Sequence, residues 1–168
     1  MKTAIIIGAS TGIGRATALA LSGKYNSISI TSFKHKEELL SLRDELMAKG
    51  CICYCETGDA GDMEFMEKFI QNTIDHLGSD IDLLINNAGI SYVGLINDMT
   101  AQDFDRTMKS NVYSVFNSCR LVVPHMIQHH KGHIINISSV WGNVGASCEV
   151  AYSASKGAVN SFSKALGK

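Results

Sequence analysis

Short apolar segments of strand length alternate along the chain with longer segments of helical periodicity. The strand candidates are Thr3–Ile7, Ser27–Thr31, Cys51–Cys55, Ile81–Asn86 and His133–Ser138. Helical patterns occupy about residues 12–23, 35–49, 62–77 and 101–129, and a last helix is expected to open near Tyr152. This alternation predicts an α/β fold, in which right-handed crossovers place helices on both faces of a parallel sheet. Isoleucine-rich strands such as Ile5-Ile6-Ile7 suit a sheet that is buried on both sides.

Local signals mark several helix ends. Thr100 followed by Asp103 has the spacing of a capping box and predicts the start of the longest helix. Gly50 and Gly78 stand where two helices are expected to stop. Pro124, the single proline, falls inside the longest helix and is expected to kink it.

Length and charge exclude several classes of protein. A chain of 168 residues is enough for one buried core, so residues 1–168 are expected to form a single domain. A net charge of −1 gives no electrostatic footprint for nucleic acid or for an acidic membrane surface. The first apolar segment, Ala4–Ile7, is too short for a signal peptide or a membrane span, so a cytoplasmic location is expected.

Three of the five cysteines alternate along the third strand candidate, at Cys51, Cys53 and Cys55. Alternation places them on one face of a strand, without the second ligand pair of a zinc site. We therefore expect buried, reduced thiols and no metal. A second group, His129, His130 and His133, lies at the end of the longest helix and is expected to cap it or lie on the surface.

A glycine-rich loop follows the first strand candidate. It reads Gly8-Ala9-Ser10-Thr11-Gly12-Ile13-Gly14 and leads directly into a helix. Glycines let backbone N–H groups approach a pyrophosphate, and the helix N-terminus favours the negative charge. The alternative is a tight strand-to-helix turn that binds nothing. The position between the first strand and first helix favours a dinucleotide site.

A tyrosine and a lysine open the last predicted helix. Tyr152 and Lys156 are four residues apart and so lie on one helix face. The ordinary pKa of tyrosine, near 10, is too high for proton transfer at neutral pH, and a nearby ammonium lowers it. Ser139 ends the fifth strand candidate and can bond a carbonyl oxygen whose negative charge increases during reaction.

Taken in order, these motifs resemble the classical short-chain dehydrogenases/reductases. The resemblance rests on the spacing of Gly8, Gly12 and Gly14, on Asn86-Asn87-Ala88-Gly89, and on Ser139 thirteen residues before Tyr152. It runs from Gly8 to Lys168 and implies a Rossmann-type fold with hydride transfer between a nicotinamide cofactor and a carbonyl or alcohol. It also implies Ser139, Tyr152, Lys156 and Asn111 as the catalytic group, with Asn111 distorting the long helix and holding a water that relays protons to Lys156.

The cofactor is expected to be NADP rather than NAD. Between Ile30 and Glu37 no carboxylate is available to bond a ribose 2′-hydroxyl, and Ser32 and Lys34 suit a 2′-phosphate instead. Thr11, where many NADP-linked members carry arginine, departs from this pattern. The resemblance adds further cofactor contacts: Gly8, Ser10, Thr11, Gly12, Ile13, Gly14, Glu56, Thr57, Asn87, Ala88, Gly89, Tyr152 and Lys156. Glu56 stands where the family usually has aspartate, and Ile7 where it usually has threonine.

The resemblance also implies a longer protein and an oligomer. Five strands in the order 3-2-1-4-5 are expected, with the last two strands of the family missing and strand five left as an open edge. We therefore expect the chain to be truncated at its C-terminus. The last helix and the long helix are expected to form a homodimer or homotetramer.

Several functions stay open at this stage. Ile135–Val140 and Ala151–Ala158 resemble 3-oxoacyl-(acyl-carrier-protein) reductases, which implies an acyl-carrier-protein or CoA thioester as substrate. Sugar, polyol and steroid dehydrogenases of the family share much of this pattern. A regulator that binds NAD(P) without chemistry, and an inert fragment, are the alternatives of other classes. The segment Ser91–Met99, with Tyr92, Val93 and Leu95, predicts a partly apolar pocket wall.

Overall fold

Five strands and seven helices alternate along the computed structural model, which describes residues 2–168. The strands are β1 (Thr3–Ile7), β2 (Ser27–Ser32), β3 (Ile52–Thr57), β4 (Ile81–Asn86) and β5 (His133–Asn136). The helices are α1 (Gly12–Leu21), α2 (Lys36–Ala48), α3 (Met63–Leu77), α4 (Ala101–Met108), α5 (Ser114–Gln128), α6 (Trp141–Val144) and α7 (Val150–Leu166). A π-helical turn, Lys109–Tyr113, joins α4 to α5.

The strands form one parallel sheet in the order β3-β2-β1-β4-β5, which confirms the predicted topology. All residues of β1 are buried because β2 and β4 flank it and helices cover both its faces. Ile5 and Ile7 face the core that α3 and α5 cover. Ala4 and Ile6 face the opposite core beneath α1 and α2. A continuous apolar strand with two packed faces is the expected signature of a doubly wound fold.

Strand boundaries differ from the predictions at three places. β2 extends one residue further, to Ser32, and β3 runs from Ile52 to Thr57 rather than over Cys51–Cys55. β5 was wrongly predicted to reach Ser138 and ends at Asn136. The reason is that Asn136 pairs with Asn86, the last residue of β4, so the ladder has no partner strand beyond it.

The helix signals are mostly confirmed. The Thr100 hydroxyl accepts from the Asp103 N–H at 3.1 Å, and the Asp103 carboxylate accepts from the Thr100 N–H, as a capping box requires. Gly78 is the C-cap residue of α3, and Gly50 follows Lys49, the C-cap residue of α2. Pro124 lies inside α5, which is α-helical on both sides of it. α6 was not predicted, and α7 begins at Val150, two residues before Tyr152.

The alternating cysteines pack as small apolar side chains, as predicted. Cys51 belongs to the core beneath α1 and α2, and Cys53 and Cys55 pack against it as free thiols. Burial raises the pKa of Cys53 to about 12 and raises those of Cys51 and Cys55 as well. Within residues 2–168 no group of three or more His, Cys, Asp or Glu side chains is arranged to hold a metal ion.

Both outer strands of the sheet keep one edge without a hydrogen-bonded neighbour among residues 2–168. β3 pairs with β2, and β5 pairs with β4, as the predicted strand order implies. Ile135, at the middle of β5, is 46% exposed. None of the helices formed by the described residues is long and apolar enough to cross a membrane.

Candidate active site

A cleft of about 520 Å³ opens at the carboxyl ends of the strands. Parallel strands deliver their C-terminal loops to one edge of the sheet, where doubly wound folds bind ligands. Eight of the predicted cofactor residues line it: Gly8, Ser10, Thr11, Ser32, Lys34, Asn87, Ala88 and Gly89. Gly12 lines a shallower depression beside it, together with Ser10 and Thr11.

The glycine loop lies directly against the end of β4. Gly8 has φ +84°, and a Cβ there would lie 2.6 Å from the backbone N and Cα of Ala88. At Gly14 a Cβ would lie 2.7 Å from Nδ2 of Asn87, which itself donates to the Gly8 carbonyl at 2.6 Å. Larger side chains would therefore force the loop away from the end of β4, and glycine allows this close contact.

The N-terminus of α1 points into this loop without a side-chain cap. Thr11 occupies the N-cap position in an extended conformation, and its hydroxyl makes no capping hydrogen bond. The first N–H groups of a helix have no partner inside the helix, and the helix dipole gives them partial positive charge. The loop and helix together therefore have the features of a pyrophosphate site.

The segment that follows β2 contributes Lys34 to the lining of the cleft. The Ser32 hydroxyl donates to the Lys34 carbonyl at 2.5 Å and so fixes the turn that presents Lys34. The Lys34 ammonium lies 5.8 Å from the centre of the Phe33 ring and forms no ion pair with a carboxylate of residues 2–168. By contrast, Lys109, which also lines the cleft, forms an ion pair with Asp59 at 2.9 Å. Lys34 is thus available to a phosphate.

Glu56 and Thr57 lie outside the lining of this cleft. The Glu56 carboxylate accepts from the Tyr54 hydroxyl at 2.6 Å and from Asn72 Nδ2 at 3.3 Å, on the side of α3. Burial, with a further contribution from Glu56, raises the pKa of Tyr54 to about 12. Gly58 and Asp59, which the sequence analysis did not single out, line the cleft. The cofactor contacts of Glu56 and Thr57 stay predictions.

Tyr152 and Lys156 lie one turn apart on α7. The Lys156 ammonium is 5.7 Å from the centre of the Tyr152 ring and donates to the Ile137 carbonyl at 2.7 Å. The residue is only 4% exposed, and this burial lowers the pKa of Lys156. The Tyr152 ring and a buried ammonium are therefore adjacent on one face of α7.

Asn111 lies in the π-helical turn, where the resemblance placed a distortion of the long helix. Its Oδ1 accepts from the Ile90 N–H at 2.8 Å, and its Nδ2 donates to the Ile90 carbonyl at 2.9 Å. The same Nδ2 donates to the Ser155 hydroxyl at 2.9 Å. Asn111 therefore connects the loop after β4 with α7 and with the long helix, which consists of α4, the π-helical turn and α5.

Ser139 lies in the turn between β5 and α6. Its hydroxyl accepts from the Trp141 N–H at 3.2 Å, and it makes no hydrogen bond to Tyr152 within the part of the chain that the structure describes. The preceding Ser138 donates to the Lys156 carbonyl at 3.2 Å, which ties this turn to α7. Hydrogen bonds of Ser155 thus connect Asn111 to the Tyr152 backbone, and Lys156 follows Ser155 directly. Ser139 lies next to Ser138, whose hydroxyl is bonded to the Lys156 carbonyl.

Sequence reasoning missed the groups that hold these residues in place. They are the hydroxyls of Ser138 and Ser155 and the carbonyls of Ile90 and Ile137. Backbone carbonyls leave no signal in a sequence. The two serines lie in segments that were noted for other residues, and hydroxyl side chains are too common to stand out.

Two loops that precede α7 in the sequence carry exposed apolar side chains. The loop after β4 contributes Val93, Leu95 and Ile96, and the segment around α6 contributes Val140, Trp141 and Val144. A hydrogen bond from the Gly94 N–H to the Cys148 carbonyl, 2.8 Å long, holds the two loops together. We call this set the apolar rim.

Comparison with known proteins identifies the family. The family model described as short chain dehydrogenase matches residues 2–168. The chain belongs to the short-chain dehydrogenase family. Its members are oxidoreductases that bind a nicotinamide cofactor, and the resemblance seen in the sequence is thereby confirmed.

Three relatives illustrate the breadth of the match. The 3-oxoacyl-[acyl-carrier-protein] reductase FabG of Staphylococcus aureus is 32% identical over 167 residues, which cover 99% of this chain and 68% of that enzyme. The NADPH-dependent pterin aldehyde reductase of Arabidopsis thaliana is 34% identical over 99% of this chain and 68% of its own length. The uncharacterized oxidoreductase YhdF of Bacillus subtilis is 31% identical over 99% of this chain and 57% of its own length.

Proposed function

We propose that residues 1–168 form a single NAD(P)-binding domain that uses NADPH to reduce a carbonyl substrate, and that the substrate is a 3-oxoacyl thioester. Tyr152, Lys156, Ser139 and Asn111 are the proposed catalytic group. The observation that carries this proposal is the buried Lys156 ammonium, which lies 5.7 Å from the centre of the Tyr152 ring and beside Gly89, a residue that lines the cleft.

The residues of the cleft fit a dinucleotide. Gly8 and Gly14 leave room for the ligand next to the end of β4. The uncapped N-terminus of α1 supplies partial positive charge for a pyrophosphate. Lys34, which has no carboxylate partner among residues 2–168, supplies a full positive charge for a phosphate. When bound, the nicotinamide cofactor supplies the hydride. Gly8 to Gly14 would hold its pyrophosphate, Lys34 and Ser32 its 2′-phosphate, and Asn87 to Gly89 its ribose.

The four residues of the proposed catalytic group donate a proton to the substrate and replace it. Tyr152 donates its phenolic proton to the substrate oxygen as negative charge develops there, and Ser139 stabilises the same oxygen by a hydrogen bond. The Lys156 ammonium would attract the negative charge that remains on Tyr152 after this proton transfer. The resemblance implies that the π-helical turn at Asn111, whose side chain is bonded to Ile90, helps to hold a water that returns a proton through Lys156.

The acid/base role is tested by Tyr152→Phe. We expect turnover to fall by at least ~10²-fold, because general acid/base catalysis contributes 10²–10⁴ in rate, while the dissociation constant for NADPH changes little. Steady-state rates and NADPH fluorescence titration measure the two effects. Tyr25→Phe, which removes a hydroxyl far from the cleft, is the matched control. Near-normal turnover by Tyr152→Phe would refute the mechanism.

Cofactor preference is tested at Lys34. We expect Lys34→Ala to weaken NADPH binding by about 10- to 100-fold, because a charge-assisted hydrogen bond contributes about 1.5–3 kcal/mol, and to leave NADH binding nearly unchanged. Lys36→Ala, two residues further on at the start of α2, is the control for a general loss of positive charge. An equal loss for both cofactors would contradict the proposed 2′-phosphate contact.

The apolar rim favours an acyl substrate over a sugar or polyol. Val93, at 69% exposed, and Val144, at 70%, would gain by burial against an acyl chain, at about 25 cal/mol per Å² of apolar surface. Two similar proteins act on different carbonyls by name, an oxoacyl thioester and a pterin aldehyde. NADPH consumption with acetoacetyl-CoA, acyl-carrier-protein thioesters, sugars and ketosteroids separates these substrates. Cofactor binding without turnover of any of them would favour the non-catalytic regulator.

We also propose that two or four copies of the chain assemble through the long helix and α7. Tyr113 and Phe116 lie exposed on the long helix, one turn apart in sequence, and Phe104 precedes them. Exposed aromatic side chains on one helix favour a protein interface. Sedimentation equilibrium of the chain and of Phe116→Glu tests this, and a monomeric wild type would contradict it.

A further inference from the structure

Ser155 is fully buried between α7 and the π-helical turn, at 0% exposure. Its hydroxyl donates to the Tyr152 carbonyl at 2.7 Å and accepts from Asn111 Nδ2 at 2.9 Å. The single proton of the hydroxyl and one of its lone pairs are both used. This serine therefore links the backbone of the proposed acid to the side chain of Asn111.

Asn111 is immobilised from its other side. Its amide oxygen and one of its amide hydrogens bond the N–H and carbonyl of Ile90, at 2.8 and 2.9 Å. The remaining amide hydrogen points to Ser155. Asn111 is 0% exposed, so loss of the Ser155 hydroxyl would leave a buried N–H without a partner, which costs free energy.

We propose that Ser155 is a positioning residue, which sets the register of α7 against the loop after β4 and so fixes where the Tyr152 hydroxyl and the Lys156 ammonium stand. This inference rests on the proposed function, because it takes Tyr152 as the proton donor. Lys156, the next residue, is tied to Ile137 at 2.7 Å. The Tyr152–Lys156 turn is therefore held at two points, Ser155 on the side of the long helix and Lys156 on the side of β5.

A purely structural role makes a different prediction. Serine hydroxyls often bond the carbonyl one turn earlier in a helix, and such a bond by itself only adjusts helix stability. In that case every substitution of Ser155 acts on unfolding alone. A positioning role acts on the chemical step, because a displacement of about 1 Å near reacting groups can cost about 10²-fold in rate.

The experiment compares Ser155→Ala, Ser155→Thr and Ser114→Ala in the full chain. Threonine in a helix keeps a hydroxyl that can bond the carbonyl three or four residues earlier, whereas its extra methyl group strains a fully buried site. Ser114, in α5, is a serine almost as buried as Ser155, and its hydroxyl donates to the Ser110 carbonyl at 2.6 Å. It is the control for the loss of a buried hydroxyl.

We expect Ser155→Ala to lower kcat by about 10- to 100-fold, to shift the pH profile of kcat, and to leave the dissociation constant for NADPH within about twofold of wild type. Ser155→Thr should restore most of kcat, although its melting temperature falls at least as far as that of Ser155→Ala. Ser114→Ala should lose melting temperature and keep kcat.

The outcomes are separable. Wild-type kcat in Ser155→Ala, or an equal loss of kcat in the alanine and threonine variants, would overturn the positioning role while Tyr152→Phe still reports on the proposed function. A wild-type chain that binds NADPH and turns over no carbonyl would overturn both. Loss of NADPH binding in Ser155→Ala, in step with its kcat, would show general disruption and would also overturn it.

Discussion

Gly142 offers a direct test of how closely α6 is packed against α7, the helix that carries Tyr152 and Lys156. An alanine Cβ at this position would lie 2.6 Å from the carbonyl carbon of Lys156 and 2.8 Å from its oxygen. It would also lie 2.9 Å from Nδ2 of Asn160, which bonds Asn143 of α6. We therefore predict that Gly142→Ala separates α6 from α7 and displaces the turn that carries Ser139.

Two opposed effects decide the magnitude. Alanine in place of glycine favours a helix by about 0.5–1 kcal/mol, so α6 by itself would gain stability. Ordinary carbon contacts lie at about 3.5–4.0 Å, so the backbone of Lys156 is about 1 Å too close for the new methyl group. Overpacking of this kind costs about 1–3 kcal/mol. The clash outweighs the propensity gain, and the four-residue α6, rather than the 17-residue α7, is the element that moves.

Displacement of Ser139 by about 1 Å is expected to lower kcat by about 10- to 100-fold. Gly142 does not line the cleft, so the dissociation constant for NADPH should not change. The melting temperature should fall by a few degrees, at about 2–4 °C per kcal/mol for a domain of this size. Gly23→Ala, which meets no atom within 4 Å, is the control. Unchanged kcat with a raised melting temperature would refute the packing of α6 described here.

Three further predictions concern other parts of the chain. Thr100→Ala should cost about 1 kcal/mol of unfolding free energy in urea, the usual value for a lost N-cap, without altering NADPH affinity. Asn87→Ala should weaken NADPH binding severalfold in a fluorescence titration, because its bond to the Gly8 carbonyl shapes the glycine loop. Cys53 should resist iodoacetamide at pH 8 until the chain unfolds, since burial raises its pKa to about 12. Between pH 9.0, the ordinary pKa of the thiol, and about 12, Cys53 is ionised in the unfolded chain and still protonated in the folded one. The free energy of unfolding should therefore fall as pH rises through this range.

The alternation of strands and helices was predictable from the sequence because its physical cause is local. Apolar strands separated by amphipathic helices indicate a parallel sheet with right-handed crossovers, and the strand order, which the family resemblance implied, agrees with the structure. The capping box at Thr100 is equally local. The end of β5 was not predictable in the same way, because it depends on where β4, some fifty residues earlier, stops offering partners.

The site was predictable in its side chains and not in its supports. Tyr152 and Lys156 share a helix face by spacing alone, and the structure places them so. α6 escaped prediction because it has four residues, one of them glycine, and no periodicity that a window of helical length can detect. The contact of Gly142 with the Lys156 backbone joins segments that no local pattern relates.

Main-chain groups hold three polar side chains of the site in place, and this determines which substitutions the site should tolerate. Lys156 rests on the carbonyl of Ile137, Asn111 on the N–H and carbonyl of Ile90, and Asn87 on the carbonyl of Gly8. Each anchor is a main-chain group at the end of a strand or in the loop that follows, so an apolar substitution of Ile90 or Ile137 leaves it in place. The polar side chains that use these anchors have no such redundancy, because each is fixed by hydrogen bonds that an apolar side chain cannot make. We therefore expect the site to be more sensitive to substitution of polar side chains such as Lys156, Asn111 and Ser155, which are buried, than to substitution of Ile90 or Ile137.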